Sequence, residues 1–178
     1  MKEIGYFIAK VKSKLSKNEK ESICEYFRKS GMRIGEECTI CCNLMTTEPY
    51  LVEIGNNVTI SGDVKFITHD NSICKIDKEC SNVFGKIKIG DNCFIGQRST
   101  ILYGVELANN IIVAAGSVVV DSFSTERIII GGNPARVIST WNKFYEKRKP
   151  FAMRRYDAEE MVKANPCKLV KRKNSDAF

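Results

Sequence analysis

The chain has 178 residues, with 28 lysines and arginines against 21 acidic residues, and a formal net charge of +7. This length suits one well-buried domain with short appendages, so we expect no second catalytic domain. No run approaches the ~20 apolar residues that a membrane span needs, and the apolar run within residues 1–10 is too short for a secretion signal. We therefore expect a cytoplasmic protein.

The positive charge lies at the two ends of the chain. Residues 1–33 carry nine basic side chains against four glutamates, residues 141–178 carry eleven against five acids, and residues 34–140 carry eight against twelve. Basic flanks can attract nucleic acid, an anionic membrane surface or an acidic glycan. We expect no nucleic-acid partner, because the central region lacks the basic face interleaved with aromatic residues that such binding uses. A peripheral contact with a membrane-linked glycan and a non-catalytic basic binding module remain alternatives.

The first predicted element is an amphipathic helix. Its apolar residues recur at helical spacing: Ile4, Phe7, Ile8, Val11 and Leu15. Ser16 and Glu19 form a capping box that predicts a second helix, which runs through Phe27 and ends at Gly31. We expect residues 1–33 to be a helical cap that covers the open end of the central region. The lysines beside the apolar face leave a first helix that lies on a membrane as the alternative.

A six-residue repeat fills residues 34–140. An apolar residue occupies every sixth position within each run: Ile34, Ile40, Ile54, Ile60, Phe66, Ile89, Ile95, Ile101, Leu107, Val113 and Val119. A small or aliphatic residue follows four positions later: Cys38, Leu44, Val58, Val64, Cys93, Ser99, Val105, Ile111 and Ser117. Because side chains alternate along a strand, both sets can point inward, so each hexad forms one side of a coil and three hexads complete a turn. This register favours a mainly β protein, a parallel β-helix, over a β-sandwich. Corner residues such as Gly90, Gly96 and Asn92 are expected to supply unusual backbone angles.

The repeat is interrupted twice. One hexad around Pro49 is enlarged by two residues, and a longer segment between Asp70 and Lys88 leaves the coil altogether. The second interruption begins directly after His69, the only histidine, which lies three positions after the inward residue Phe66 and therefore points outward. Loops that break a regular scaffold tend to carry function. An imidazole at such a site can remove the proton of an attacking hydroxyl, so His69 is the candidate general base.

Several segments together resemble a known family: residues 53–60 (EIGNNVTI), 66–70 (FITHD), 89–96 (IGDNCFIG), 114–119 (AAGSVV) and 132–136 (GNPAR). They are similar to the hexapeptide-repeat acyltransferases, and within them to the maltose, galactoside and polysaccharide O-acetyltransferases. The resemblance implies a left-handed parallel β-helix with helices at both ends and a loop that protrudes after His69. It also implies acetyl-CoA as co-substrate, a homotrimer with the donor in grooves between subunits, and a sugar acceptor. In this family the acetyl group passes directly to the acceptor, with the histidine that matches His69 as base.

The same resemblance implies roles for further residues. The backbone amide of Gln97 matches the group that hydrogen-bonds the thioester carbonyl, and Ala115 matches a backbone contact to the pantetheine arm. Arg136 matches the basic residue near the CoA phosphates, and Asn43 falls near an asparagine that helps to bind the sugar. The basic residue that often follows the Ser-Val-Val segment is absent here, and Asp121 lies in that region. Phosphate binding is therefore expected to depend more on Arg136.

Glu48, Tyr50 and Asp70 are the remaining candidates on the acceptor side. One coil plus the two-residue enlargement brings Glu48 near the column of His69, where its carboxylate could hydrogen-bond the imidazole or the acceptor. Tyr50 could stack on a sugar ring. Asp70 is adjacent to His69, and strand neighbours face opposite ways. The identity of the acceptor stays open, with an antibiotic hydroxyl or an amino sugar as the alternative.

No metal site is expected from the eight cysteines. Cys38 and Cys93 fall on inward positions, where cysteine acts as a small apolar side chain. The CxxC at residues 38–41 and the pair Cys74 and Cys80 lack a second pair at zinc-ribbon spacing and a nearby histidine. A γ-type carbonic anhydrase on the same scaffold would need three imidazoles per zinc, which one histidine per chain does not supply at a subunit interface.

Residues 141–178 are predicted to be a basic helical segment and tail. A short helix is expected over residues 140–149, and Asp157 with Glu160 predicts the start of another. Residues 167–178 have little apolar content and are expected to be disordered.

Overall fold

The computed structural model describes residues 2–16, 18–44 and 46–164, and the chain divides into two compact units between Ser139 and Thr140. The first unit begins with helices α1 (Lys2–Lys14) and α2 (Glu19–Lys29). Its strands then follow in chain order: β1 (Arg33–Ile34), β2 (Thr39–Ile40), β3 (Val52–Ile54), β4 (Thr59–Ile60), β5 (Lys65–Phe66), β6 (His69–Asp70), β7 (Val83–Phe84), β8 (Ile87–Ile89), β9 (Phe94–Ile95), β10 (Thr100–Ile101), β11 (Glu106–Leu107), β12 (Ile111–Val113), β13 (Val118–Val119), β14 (Ile128–Gly132) and β15 (Ala135–Thr140).

Strands β1–β5 and β8–β14 pair in parallel and form three sheets that the chain visits in turn. Sheet A contains β1, β3, β8 and β11, sheet B contains β2, β4, β9, β12, β14 and β15, and sheet C contains β5, β10 and β13. Strands β6 and β7 form a separate antiparallel pair. From β1 to β14, each strand of these sheets therefore hydrogen-bonds to a strand of an adjacent circuit, as the hexad pattern predicts. Strand β15 instead follows β14 after two residues and pairs with it directly.

The pairing register reproduces both predicted interruptions. Ile89 pairs with Leu107, which is one circuit of three hexads. Ile34 pairs with Ile54, two residues more than a circuit, because the enlarged hexad lies between them. Ile54 pairs with Ile89 across the long segment that contains β6 and β7. The insertions are thus accommodated outside the sheets, and the strands above and below them stay in register.

The hydrophobic core is formed by the residues that the hexads place inward. Both predicted sets, the apolar first positions and the small or aliphatic fifth positions, are buried throughout. Two buried serines occur among them: the Ser99 and Ser117 hydroxyls donate to the Ala114 carbonyl at 3.0 and 2.6 Å, which satisfies their polar groups. The predicted inward orientation is confirmed.

The corner glycines have a different role from the one expected. Gly90 and Gly96 do not have positive φ. A Cβ on Gly96 would lie 2.5 Å from the Ala115 nitrogen, and one on Gly90 would lie 2.7 Å from the Asn109 nitrogen. The prediction of unusual angles at these glycines is therefore wrong, because the lack of a side chain serves the close approach of successive coils.

Asparagines take the positive φ angles at one line of corners. Asn57, Asn92 and Asn110 have φ of 52, 55 and 61°, a conformation that asparagine tolerates better than most residues. Their side-chain amides form a ladder, with Asn57 donating to Asn92 at 2.9 Å and Asn92 donating to Asn110 at 2.7 Å. The prediction of an unusual angle at Asn92 is confirmed.

Helix α2 covers the first circuit through Ile23, Cys24 and Phe27, which are buried in the common core. Its N-cap is Asn18, whose side chain accepts a hydrogen bond from the amide at position 21. The prediction that Ser16 caps α2 is wrong, because the helix starts at Glu19, so the residue just before it, Asn18, has the cap geometry.

Helix α1 does not cover the coil with its apolar face, so that part of the predicted cap is wrong. It packs on α2 through Gly5 and Tyr6, which lie against Tyr26. The predicted apolar face points to solvent on the other side: Ile4, Phe7, Ile8, Val11 and Leu15 are 47–88% exposed. In the described ranges of the chain, no helix combines the length and apolar character that a membrane span requires.

The second unit contains α3 (Trp141–Arg148) and α4 (Arg155–Ala164). Thr140 caps α3, and its hydroxyl accepts from the Lys143 amide at 3.4 Å. The prediction that Asp157 caps α4 is wrong, because Asp157 lies within its first turn and pairs with Arg154 at 2.9 Å. The predicted tail, residues 167–178, lies outside the described residues.

Candidate active site

His69 lies at the start of the segment that leaves the coil. Strand β6 pairs antiparallel with β7, so that His69 is opposite Phe84 and Asp70 is opposite Val83. The Gly85 amide donates to the Thr68 carbonyl at 3.1 Å, which closes the base of this hairpin. The segment that leaves the coil therefore has a hydrogen-bonded base, and His69 lies on it.

The imidazole of His69 is held by Glu48. Nδ1 of His69 lies 2.9 Å from Oε2 of Glu48, and the two side chains are 36% and 14% exposed. The same carboxylate oxygen accepts hydrogen bonds from the hydroxyls of Thr68 at 2.7 Å and Thr47 at 2.8 Å. Thr47 Oγ1 also lies 3.3 Å from His69 Nδ1. The structure thus brings together two of the predicted site residues.

The enlarged hexad places Glu48 next to His69, on the preceding coil. The Glu48 amide donates to the hydroxyl of Thr46 at 2.9 Å, a local turn that precedes a 3₁₀ helix over Pro49–Leu51. Thr46 is itself buried and contacts the buried Thr68 hydroxyl at 3.1 Å. The two extra residues are therefore used to turn a carboxylate onto the neighbouring coil.

Hydrogen bonds determine the charge of Glu48 and, through it, which ring nitrogen of His69 faces the carboxylate with its hydrogen. Burial by itself raises the pKa of Glu48, but hydrogen bonds from both threonines and the imidazole outweigh it and lower the pKa to about 2. An ionised carboxylate only accepts hydrogen bonds, so the proton of a neutral imidazole lies on Nδ1 of His69. Nε2 is then left with a free electron pair, which is the arrangement that a general base needs.

Phe84 and Asp70 are the neighbours of His69 on the β6–β7 hairpin. The Phe84 ring centroid lies 5.7 Å from that of the imidazole. Asp70 accepts from the Ser72 amide at 2.7 Å and from the Tyr103 hydroxyl at 3.5 Å. These hydrogen bonds lower the pKa of Asp70, and the bond from Ser72 has the largest effect. The Asp70 carboxylate therefore contacts Tyr103, whereas Glu48 is the carboxylate that contacts the imidazole.

Asn43 and Tyr50 lie at opposite ends of the enlarged hexad in the first coil. Tyr50 is in the 3₁₀ helix just after Glu48 and is 67% exposed. Asn43 follows β2 by three residues, in the position that Asp63 has after β4, because Ile40 pairs with Ile60. Tyr50 is thus near the His69 end of the scaffold, whereas Asn43 lies at the corner between sheets B and C.

Gln97 and Ala115 lie at that same B–C corner, on successive coils. The Gly116 amide donates to the Gln97 carbonyl at 2.8 Å, which stacks the two coils there. His69 lies at the opposite end of sheet C, beyond β5. About seven extended residues separate the two corners, roughly 20 Å at about 3.3 Å per residue. One chain therefore does not bring Gln97 and Ala115 to His69.

Arg136 is paired with an acid. Its guanidinium donates to Asp121 at 2.7 Å and to the carbonyl of Ala135 at 2.8 Å. Both side chains of the ion pair are about 60% exposed, so the pair contributes only about 0–1 kcal/mol and a phosphate can compete for the arginine. Asp121 thus partly neutralises the positive charge of Arg136.

Sequence reasoning missed three side chains of the His69 site: Thr47, Thr68 and Phe84. Thr68 directly precedes the histidine, and its buried hydroxyl could have been noticed as a polar group at an inward-leaning position. Thr47 and Phe84 lie in the two interruptions, where no periodic pattern predicts contacts. Across the residues that the structure describes, no group of three or more His, Cys, Asp or Glu residues could hold a metal ion.

Known proteins share this sequence and fold. The family profile for the hexapeptide repeat of succinyl-transferase matches residues 86–120. Protein CapG of Staphylococcus aureus is 38% identical over 125 residues, which cover 67% of this chain and 72% of CapG. Galactoside O-acetyltransferase of Escherichia coli (strain K12) is 28% identical over 134 residues, which cover 75% of this chain and 64% of that enzyme.

A solved structure extends the comparison to the fold. The hexapeptide-repeat containing acetyltransferase VCA0836 from Vibrio cholerae O1 biovar eltor, complexed with acetyl coenzyme A, superposes with a TM-score of 0.56. The two chains are 21% identical, and the superposition covers 77% of this chain and 85% of the Vibrio chain. The hexads, the parallel register and the relatives define an acyl-transferring enzyme. The chain belongs to the hexapeptide-repeat acetyltransferases, which confirms the predicted resemblance.

Proposed function

We propose that the protein transfers the acetyl group of acetyl-CoA to a sugar hydroxyl, with His69 as the general base. The observation that carries the proposal is the 2.9 Å contact between His69 Nδ1 and the ionised Glu48 carboxylate. It leaves Nε2, the other ring nitrogen of a side chain that is 36% exposed, as the proton acceptor. Enzymes of this family need such a base because a neutral hydroxyl attacks a thioester only slowly.

The chemical step transfers one proton and one acetyl group. Nε2 of His69 accepts the hydroxyl proton while the hydroxyl oxygen bonds to the thioester carbonyl carbon. The Gln97 amide of a neighbouring subunit donates to the oxyanion that forms. The carbon–sulfur bond then breaks, and the imidazolium returns its proton to the departing CoA thiolate. Glu48 stabilises the imidazolium in between, as a carboxylate partner does in other histidine-dependent acyl transfers.

The donor lies in a groove between two subunits of a homotrimer. Support comes from the roughly 20 Å between the His69 corner and the corner of Gln97 and Ala115 in one chain, because a threefold assembly can place one corner against the other. The acetyl-CoA complex of the Vibrio acetyltransferase, which has a similar fold, supports the donor. The coils wind in the left-handed sense of the family, an exception to the usual right-handed crossover. In the same groove Arg136 contacts the CoA phosphates.

The acceptor is a sugar that enters beside His69. Tyr50 and Phe84 offer exposed aromatic rings on which a sugar can stack, and Asp70 offers a carboxylate to its hydroxyls. Asn43 contributes from the B–C corner of the neighbouring subunit. The galactoside O-acetyltransferase among the relatives supports this substrate class. A glycan linked to a membrane is compatible with the same site.

The test of the activity is acetyl transfer to a panel of acceptors. The protein is incubated with acetyl-CoA and with galactosides, maltose, polysaccharide fragments, amino sugars or hydroxylated antibiotics, and the products are analysed by mass spectrometry. We expect the gain of one acetyl group on a sugar oxygen, together with one free CoA thiol per product. Acetylation of only amines or antibiotics would contradict the sugar assignment, and a histidine-independent rate would contradict the mechanism.

The test of the shared groove is complementation between two inactive variants. His69→Ala lacks the base, and Gln97→Pro lacks the amide hydrogen. In mixed trimers some grooves combine the intact His69 of one chain with the intact Gln97 of the other, so activity should return on mixing after dissociation and reassembly. Sedimentation of an active monomer, or no recovery in mixed trimers of folded variants, would contradict this arrangement.

A further inference from the structure

Helix α1 presents an apolar face that the rest of the unit does not cover. Gly5 and Tyr6 face α2, where the Tyr6 ring lies 6.1 Å from that of Tyr26 and 5.8 Å from that of Phe27. Ser13 is fully buried. The opposite side of α1, together with Leu15 just after its end, carries five exposed apolar side chains: Ile4 64%, Phe7 67%, Ile8 47%, Val11 48% and Leu15 88%. The larger aliphatic residues and Phe7 thus point outward, whereas a glycine, a serine and a tyrosine point inward, the reverse of a helix that caps a core.

Lysines border this face on both sides. At about 100° per residue, Lys12 falls beside one edge of the apolar stripe and Lys10 and Lys14 fall beside the other. All three are exposed. None of them forms an ion pair with a residue in the described ranges. Their charge is therefore available to an external partner.

We propose that α1 binds the surface of an anionic lipid bilayer, with its apolar face in the interfacial region and Lys10, Lys12 and Lys14 on the lipid phosphates. Helices that combine a large apolar face with flanking lysines bind in this way. The thirteen residues of α1 span roughly 20 Å at 1.5 Å per residue, less than the ~30 Å of a bilayer core. The helix therefore lies in the plane of the interface.

A twofold contact with a second copy of the chain fits the same face less well. In a twofold contact, the same surface of both copies meets, so the lysine borders of one α1 would lie against those of the other. Repulsion between the lysines of the two copies would oppose this association. Lipid phosphates instead neutralise both borders at once. The inference goes beyond acetyl transfer, because it concerns where the enzyme works and not what it does.

The test is co-sedimentation of the full chain with phosphatidylcholine vesicles that either contain or lack phosphatidylglycerol. We expect at least about 10-fold stronger partitioning into the anionic vesicles, and a decrease with added salt. Equal binding to both vesicle types, or none to either, would overturn the proposal.

Two variants separate the contributions of the face. Lys10→Gln/Lys12→Gln/Lys14→Gln should weaken binding to anionic vesicles about 100-fold, given the usual contribution of each lysine. Phe7→Gln/Val11→Gln/Leu15→Gln should abolish it, while the far-ultraviolet circular dichroism and the thermal midpoint stay unchanged because these side chains are already exposed. Full binding by either folded variant would overturn the proposal.

The matched control removes the same charge elsewhere: Lys143→Gln/Lys147→Gln/Arg155→Gln. It should bind vesicles like the wild type, and a loss equal to that of the α1 lysine variant would assign binding to the basic C-terminal unit instead. Sedimentation without lipid gives a second control. If the apolar α1 variant changes the oligomeric state instead of vesicle binding, a second copy occupies the face and the lipid proposal fails.

A fluorescent probe tests the position of the helix without depending on loss of binding. Phe7→Trp in a Trp141→Phe background places the only tryptophan on the apolar face. Anionic vesicles should shift its emission to the blue, and lipids brominated on the acyl chain should quench it. The same background with Tyr26→Trp, on the side that packs against α1, should show neither change. Quenching at position 26 but not at position 7 would overturn the proposed orientation.

Discussion

His69 Nδ1 and Glu48 Oε2 lie 2.9 Å apart, although the two residues are 21 positions apart in the sequence. The contact joins the two interruptions of an otherwise regular repeat: the enlarged hexad supplies the carboxylate and the base of the protruding loop supplies the imidazole. Because Glu48 stays ionised, the ring is held with Nδ1 protonated and Nε2 free. The two irregular segments thus form one site.

His69→Ala should lower kcat by about 10²–10⁴-fold, the usual contribution of a general base. The thermal midpoint and the affinity for CoA should change little, because the ring is partly exposed and its removal leaves no cavity in the core. Steady-state kinetics, thermal denaturation and binding calorimetry measure these three quantities. A loss below about 10-fold would exclude His69 as the base.

Glu48→Gln should lower kcat by roughly 10²-fold with a small effect on KM, since loss of the partner that orients a catalytic histidine acts in the chemical step. The control is Glu53→Gln on β3, where the carboxylate pairs with Lys86 and Arg33 away from the imidazole. It should retain near wild-type kcat. A similar loss in both variants would show that the effect is structural.

Glu48 also predicts how stability depends on pH. Its pKa is lowered from 4.5 to about 2 in the folded protein, so its ionised form stabilises the fold above about pH 4.5. This contribution declines as the pH falls from about 4.5 towards 2. Urea unfolding of the wild type and of Glu48→Gln should give a free-energy difference that is constant near neutral pH and shrinks below about pH 4.5. A difference that grows in acid would contradict the assigned shift.

Arg136→Ala should raise the KM for acetyl-CoA by roughly 10-fold with little change in kcat, because a contact to a distant phosphate is equal in the ground and transition states. Asp121→Asn should act in the opposite direction, since it frees the guanidinium from its 2.7 Å ion pair. Acetyl-dephospho-CoA, which lacks the 3′-phosphate of CoA, is the control donor: the substitution should matter much less with it. If the arginine variant loses as much with this donor, the role at the 3′-phosphate is rejected.

Gly96→Ala should destabilise the protein by about 1–3 kcal/mol, because its Cβ would lie 2.5 Å from the Ala115 nitrogen and force two coils apart. Gly62→Ala is the matched control, since its nearest neighbours are side-chain atoms of Gln97 at 3.8 Å or more. Urea denaturation measures both. Equal stability of the two variants would show that the coils separate without cost.

The periodic part of this fold could be predicted in detail. The inward positions from Ile34 to Val119, the two-residue enlargement around Pro49 and the departure of the chain after His69 all follow from spacing. The reason for the corner glycines could not be predicted. A glycine required for a left-handed backbone angle and a glycine required for the close approach of two coils look alike in a sequence. The outward face of α1 was also missed, since periodicity defines an apolar stripe but not the surface against which it packs.

The sequence by itself determined the coil register and therefore the columns in which residues stack, because a six-residue period with alternating side chains allows one inward set. It also singled out His69 and brought Glu48 near its column. Only the tertiary structure decided that the carboxylate meets Nδ1, that Thr47 and Thr68 share the same oxygen, and that Arg136 is engaged by Asp121. These contacts lie in turns and corners, where direction is set by local hydrogen bonds between coils and no repeating pattern records it.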